Sequence, residues 1–229
     1  MIIMAEKCYH CFRPKETCYC KDIIPFDTEI HFVFLMHPKE AYKQKTGTGR
    51  LASLSLKNSE ILIGTDFTQN ARLKELLANE NYLPLLLFPD ETAFTAKSIK
   101  TTLNGSHKVP LIIIIDGTWF CAKKILRLSK PILESLPKIS FSKTYISQFT
   151  FKTQPQDGYI STIESVYYLL NELKEEKLLS PKVSLDHIEN LMILFNKMVN
   201  FQLDQEKLRI AQGLPDRYLE SAKKRKKKV

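Results

Sequence analysis

The chain has 229 residues and 26.5 kDa, room for one ordinary domain and a small appendage. Its 44% hydrophobic, 26% charged and 10% aromatic residues exclude a disordered or fibrous chain, and no strictly apolar run exceeds five residues, far short of the roughly 20 a membrane helix needs. Net charge is +9, but the run Lys223, Lys224, Arg225, Lys226, Lys227, Lys228 carries six of those charges and leaves +3 for the rest, so a nucleic-acid face on the body must be a local patch.

At the start, Ile2-Ile3-Met4-Ala5 is too short for a secretory h-region and Lys7 follows, so the expectation is a cytoplasmic protein. Four of the five cysteines come next, Cys8, Cys11, Cys18 and Cys20, spaced C-x2-C-x6-C-x-C. Without an export signal the spacing favours a structural zinc site over two disulfides, with His10 able to replace one thiol. Cys121 stands apart and reads as a small buried residue.

Glu29–Met36 is strand-like and closes on His37-Pro38. A polar loop over 39–49 leads to a helical pattern at Leu51, Ala52 and Leu54. Ile61–Ile63 is a second strand, Leu73, Leu76 and Leu77 mark a helix face, and Leu83–Phe88 is a third strand stopped by Pro89. Thr95–Val109 is polar and predicts nothing. Leu111–Ile115 is apolar throughout, as expected where both faces of a parallel sheet are covered. A helix from Thr118 to about Ser129 follows, then short strands at Ile139–Phe141 and Gln148–Phe151. Two longer helices close the body, one with Ile163, Val166, Tyr167, Leu170 and Leu173 on a face, the other with Ile188, Leu191, Met192, Phe195, Met198 and Val199. This alternation predicts an α/β fold with a mostly parallel sheet and helices on both faces. The expected divisions are a knuckle over 1–25, an α/β domain over 26–205 and a basic tail over 206–229. The tail reads as a solvated end, a phosphate clamp, a nuclear import signal or an appended non-native end. Glycine is scarce, seven residues or about 3%, and no GxGxxG occurs, which argues against dinucleotide binding.

Ligands of open α/β sheets collect beyond the carboxyl ends of the strands. The most apolar strand delivers Asp116-Gly117-Thr118-Trp119 to that edge. Asp116 there either caps the following helix or carries chemistry, and Trp119, the only tryptophan, either anchors the core or lines a site. Ser161-x-x-Glu164 has the form of a capping box. Lys123, Lys124 and Arg127 share roughly one helix face and read either as phosphate contacts or as a solvated surface.

Asp116-Gly117-Thr118-Trp119-Phe120-Cys121-Ala122-Lys123 resembles the D-x-T-W motif, with its trailing Ala-x-Lys, of the DTW-domain family. The cysteine knuckle, Met36-His37-Pro38-Lys39-Glu40 with Thr48-Gly49-Arg50-Leu51-Ala52, and Ser161-Thr162-Ile163-Glu164-Ser165 agree in family order. The family usually has Ala where this chain has Ser165, and an Arg in the loop where this chain offers Lys43 and Lys45. The resemblance implies a tRNA-uridine aminocarboxypropyltransferase related to the SPOUT class, with a trefoil-knotted sheet. It implies S-adenosylmethionine as donor, N3 of an unpaired tRNA uridine as acceptor and methylthioadenosine as coproduct. Under it Asp116, Thr118 and Trp119 are catalytic. His37, Pro38, Phe88, Pro89, Gly117, Ser161, Thr162 and Glu164 hold the donor, and Lys39, Arg50, Lys123, Lys124 and Arg127 meet the RNA. The rival readings are a knotted methyltransferase using the same donor, and a non-catalytic zinc-and-lysine RNA-binding module.

Overall fold

The computed structural model describes residues 6–44, 46–104, 106–149 and 159–218; the Lys223–Lys228 tail, Lys45 and Phe151 lie outside them. Five strands form one parallel sheet in the order β2-β1-β4-β3-β5. They are β1 (His31–Met36), β2 (Ser59–Ile63), β3 (Tyr82–Leu87), β4 (Val109–Asp116) and β5 (Lys138–Ile139). Between and after them lie α1 (Pro38–Lys43), α2 (Gly49–Ser55), α3 (Ala71–Ala78), α4 (Ala96–Leu103), α5 (Trp119–Leu128), α6 (Lys130–Leu133), α7 (Thr162–Glu175) and α8 (Leu185–Ala211). Among the described residues no helix is long and apolar enough to cross a membrane.

The period of two along a strand divides each strand between two cores. Phe32 and Phe34 of β1, with Ile112 and Ile114 of β4, pack against residues of α2, α4, α7 and α8. Val33 and Leu35, with Leu111 and Ile113, pack against α3, α5 and α6. Both alternating sets are fully or almost fully buried. This is why LIIII carries no polar position: with helices on both faces, neither register meets water.

Local outcomes differ from the sequence reading at several points. The loop expected over 39–49 opens with helix α1, because the His37 cap and Pro38 in the first turn start one there, and a further short helix, α6, follows α5 with Pro131 in its first turn. The polar stretch after Thr95 contains α4, opened by a Thr95–Ser98 capping box; it buries only Ala96 and Ile99, too short a stripe to show a period. β5 is two residues, Lys138–Ile139. Gln148 and Phe149 are not strand, because the Gln148 N–H donates to the Glu164 carboxylate instead of a ladder. Finally α8 continues through residues 206–211, which the sequence groups with the tail, and its buried Glu206 binds Arg209 and Arg217.

Candidate functional site

Asp116 ends β4 opposite Met36 of β1, and its carbonyl accepts the His37 N–H at 2.9 Å, one step past the paired strands. Its side chain does not cap α5; Thr118 does, its Oγ1 accepting the Cys121 N–H. The Asp116 carboxylate is buried, and Thr162 Oγ1 at the start of α7 donates to Oδ1 at 2.5 Å. Across from it Gly49 comes so close that a Cβ there would stand 2.4 Å from Asp116 Cγ. Residue 49 must therefore lack a side chain for α2 to begin where it does. Burial pulls the Arg50 guanidinium's pKa down, and the Asp116 carboxylate gives the largest opposing pull.

Beside this carboxylate opens a cavity of about 800 Å³, within the usual range for small-molecule sites. It lies beyond the carboxyl ends of β3, β4 and β5, where this topology places ligands. Asp116, Gly117, Thr118, Trp119, Phe88, Pro89, Ser161 and Thr162 all line it. Trp119 is half-buried and stacks on Tyr159 with centroids 3.8 Å apart, so it is a wall of the cavity and not a core anchor. Ser161 Oγ is buried on the same wall, at the start of α7.

His37, Pro38 and Glu164 do not line the cavity; they shape what does. His37 caps α1, with its Nδ1 accepting the Lys39 N–H at 3.1 Å. Burial, then the charges of Lys124 and Lys39, hold its pKa below the ordinary histidine value. Glu164 is fully buried and accepts from Ser161 N–H (2.7 Å), Gln148 N–H (2.6 Å) and Ser147 Oγ (2.9 Å). It thus completes its half of the capping box and also pins the far end of the 140–149 loop. Two helical turns on, buried Glu172 accepts from Ser142 N–H at 3.0 Å and from Tyr145 Oη at 2.9 Å. Burial, then the Glu172 hydrogen bond, raises the Tyr145 pKa, and its ring stacks on Tyr168 at 3.8 Å. The loop residues Ser140–Tyr145 and the partner ring Tyr159 are site residues that sequence reasoning missed; no local pattern marks them, because Ser142 and Tyr145 are held by Glu172 of α7 and Tyr159 by Trp119 of α5.

The expected RNA-facing cations lie outside the cavity. Lys39 and Lys124 are exposed near His37, and Arg50 stacks on the Phe12 ring at 4.2 Å. Lys123 and Arg127 line a second, shallower cavity of about 370 Å³ on the other side of Phe88.

The four clustered cysteines converge. Their sulfurs all lie within 4.8 Å of one another, with Cys8–Cys20 at 3.7 Å and Cys11–Cys18 at 3.6 Å. Those separations are far longer than a disulfide and close to the roughly 3.8 Å edge of a tetrahedron with metal–sulfur bonds of about 2.3 Å. Backbone N–H groups of Cys11 and then His10 lower the Cys8 thiol to about 6, whereas burial raises Cys11 and Cys20. Four soft donors converging at this spacing fit a bound metal ion. Cys121 is buried, as expected.

The knuckle is docked on the body. Asp22 pairs with Lys197 of α8 at 2.7 Å, and Asn190 donates to the Asp22 carbonyl. Arg13, 7% exposed, reaches Gly47 O and Met198 Sδ.

The family described as DTW domain matches residues 5–203. Three curated relatives are each named tRNA-uridine aminocarboxypropyltransferase 2. The Drosophila melanogaster protein is 29% identical over 74% of this chain and 67% of its own length. The Mus musculus and Macaca fascicularis proteins are 28% and 29% identical over 76% of this chain, which spans only 60% of each of them. No solved structure matches. With the family match running from the cysteine knuckle into α8, the chain belongs to the DTW domain family.

Proposed function

We propose that this chain is a tRNA-modifying transferase that moves the 3-amino-3-carboxypropyl group of S-adenosylmethionine to N3 of an unpaired tRNA uridine. The observation that carries the reading is the Asp116 carboxylate, fixed by Thr162 and opening on a cavity with the Trp119–Tyr159 stack on its wall. The relatives' names and the family match support it.

Bound S-adenosylmethionine supplies a sulfonium whose S–Cγ bond breaks as N3–Cγ forms, releasing methylthioadenosine and the N3 proton. The chain's part is orientation, which can lower a barrier by roughly 7–11 kcal/mol. Ser161 Oγ and the backbone of Gly117 bind the donor, and Phe88 and Pro89 wall it; all four line the cavity. Asp116 accepts the hydrogen bond of uracil N3–H and takes up or passes on its proton, with Thr162 fixing the carboxylate's rotamer. N3 lies on the Watson–Crick edge, so the uridine must be unpaired or flipped, and Trp119 offers it a stacking face. Lys39, Arg50, Lys123, Lys124 and Arg127 meet the tRNA backbone outside the cavity. The four cysteines hold one zinc ion, which is structural. The family's trefoil knot, its SPOUT relationship and a cytoplasmic location belong to the same proposal, as does division into a knuckle, a catalytic domain and a basic tail.

The test is mass spectrometry of nucleosides after incubating unmodified tRNA with the protein and S-adenosylmethionine. The aminocarboxypropyl adduct and methylthioadenosine are expected, and Asp116→Ala should lose at least about 100-fold in turnover, the size of a general acid–base contribution, while still binding the donor. A methylated uridine with adenosylhomocysteine would establish the methyltransferase instead. An Asp116→Ala protein at full rate would remove Asp116 from the chemistry.

A further inference from the structure

Arg13 is a buried cation, 7% exposed. Its Nη2 donates to the Gly47 carbonyl at 3.4 Å and lies 3.2 Å from Met198 Sδ. Its guanidinium lies over the Tyr19 ring, 4.8 Å from the centroid. No carboxylate lies within ion-pair distance of it among the described residues. A guanidinium does not shed its proton, and a buried charge without a countercharge is costly. Arg13 belongs to the knuckle itself: it follows Cys11 by two residues, its carbonyl accepts the Cys8 N–H at 2.8 Å, and its guanidinium lies over Tyr19, the residue between Cys18 and Cys20. Four thiolates around a divalent cation carry a net charge of −2, so a loaded knuckle supplies the missing anion.

We propose that Arg13 is the counter-ion of the metal–thiolate centre and, through Gly47, the strut that holds residues 46–50 in place beside Asp116. That segment is no bystander. Thr46 and Thr48 line the cavity, Gly49 abuts the Asp116 carboxylate, and Arg50 carries the charge that faces it. The metal thereby acts on the site from outside it. Loading fixes the charge of the knuckle, the charge fixes Arg13, and Arg13 fixes the Gly47 carbonyl. A lysine would keep the charge but lose the flat fork that lies on Tyr19 while reaching Gly47. This positioning role rests on reading the four cysteines as a metal site.

The test compares zinc-loaded wild type with Arg13→Met and Arg13→Lys, following zinc release to an excess of chelating dye and backbone amide exchange. Arg13→Met keeps all four thiols, yet should release zinc roughly 10–100-fold faster, the cost usually seen when a metal site's outer partner is lost. Its amides over 46–50 should exchange at least about 10-fold faster with zinc still bound, with Arg13→Lys in between. Wild-type release and wild-type exchange in Arg13→Met would overturn the proposal. A chelator-stripped wild-type protein decides the matter without any variant. Exchange should rise over 46–50 and stay unchanged in β3 and β4; no rise, or an equal rise in those strands, would refute the strut. None of these readouts needs turnover, so the transferase reading and the strut can fail separately.

Discussion

On one side of the Asp116 cavity, residues 140–149 lean on two carboxylates of α7, Glu164 and Glu172; on the other, residues 46–50 lean on the guanidinium of Arg13. Beyond the last rung of a parallel strand the backbone has no ladder partner, and its polar groups must find one elsewhere. The 140–149 wall presents N–H groups, from Ser142 and Gln148, and takes anionic acceptors. The 46–50 wall presents a carbonyl, from Gly47, and takes a cationic donor. Charge-assisted bonds are roughly twice as strong as neutral ones, which suits segments that must be ordered without regular structure. The two walls differ in origin: α7 grows out of the site itself, whereas Arg13 comes from a separate knuckle.

The anionic wall should be the more expensive to break. Glu164→Ala strips the acceptor from two backbone N–H groups and the Ser147 hydroxyl at once. Each buried donor left unpaired costs about 1–3 kcal/mol, so we expect a loss of about 3–5 kcal/mol in denaturant unfolding. Donor binding should weaken with it, since Ser161 and Thr162 sit on the turn that Glu164 closes. A loss under about 1 kcal/mol would mean the loop is held by its aromatic packing and not by charge.

Glu172→Gln sharpens the same contrast at smaller cost. The amide oxygen still accepts from Ser142, but the second acceptor oxygen is gone and Tyr145 must re-pair. About 1 kcal/mol of stability is expected, with a few-fold rise in donor KM. Because both glutamates hold one loop, the pair Glu164→Ala/Glu172→Gln should depart from additivity by about 0.5 kcal/mol or more. Strict additivity would show that the two anchors act on independent segments.

What the sequence revealed follows this division. The sheet was readable because Leu111–Ile115 meets apolar cover on both faces, so its burial is written in five consecutive residues. The acidic end of that strand and the cysteine cluster were readable because their chemistry is local in the chain. The 140–149 wall was not: Gln148 looks like a strand residue, and only a carboxylate 16 positions later makes it a loop. Glu164 was half legible, since its capping role is local and its grip on Gln148 is not. Arg13 was not legible at all, because its partners, Gly47 and Met198, lie 34 and 185 positions away. Helix α4 escaped for a plainer reason, that two buried positions cannot establish a period.

Acid should separate the two walls, and this is the smallest effect we expect. His37 stands on the Arg13 side, capping α1, which leads into residues 46–50. Its pKa is held below the usual 6.5 by burial and by Lys124 and Lys39, so the folded protein keeps it neutral where the unfolded chain begins to protonate. Below pH of about 6.5 the unfolded state therefore binds more protons, and stability falls as pH falls until the lower, folded-state pKa is passed. His37→Asn keeps a side chain that caps well but removes the titration. The variant's melting temperature should fall less steeply than that of wild type between about pH 7 and pH 5. Parallel curves for the two proteins would show that the His37 imidazole is no burden to the fold in acid, and that the cationic wall is no more sensitive to protons than the anionic one.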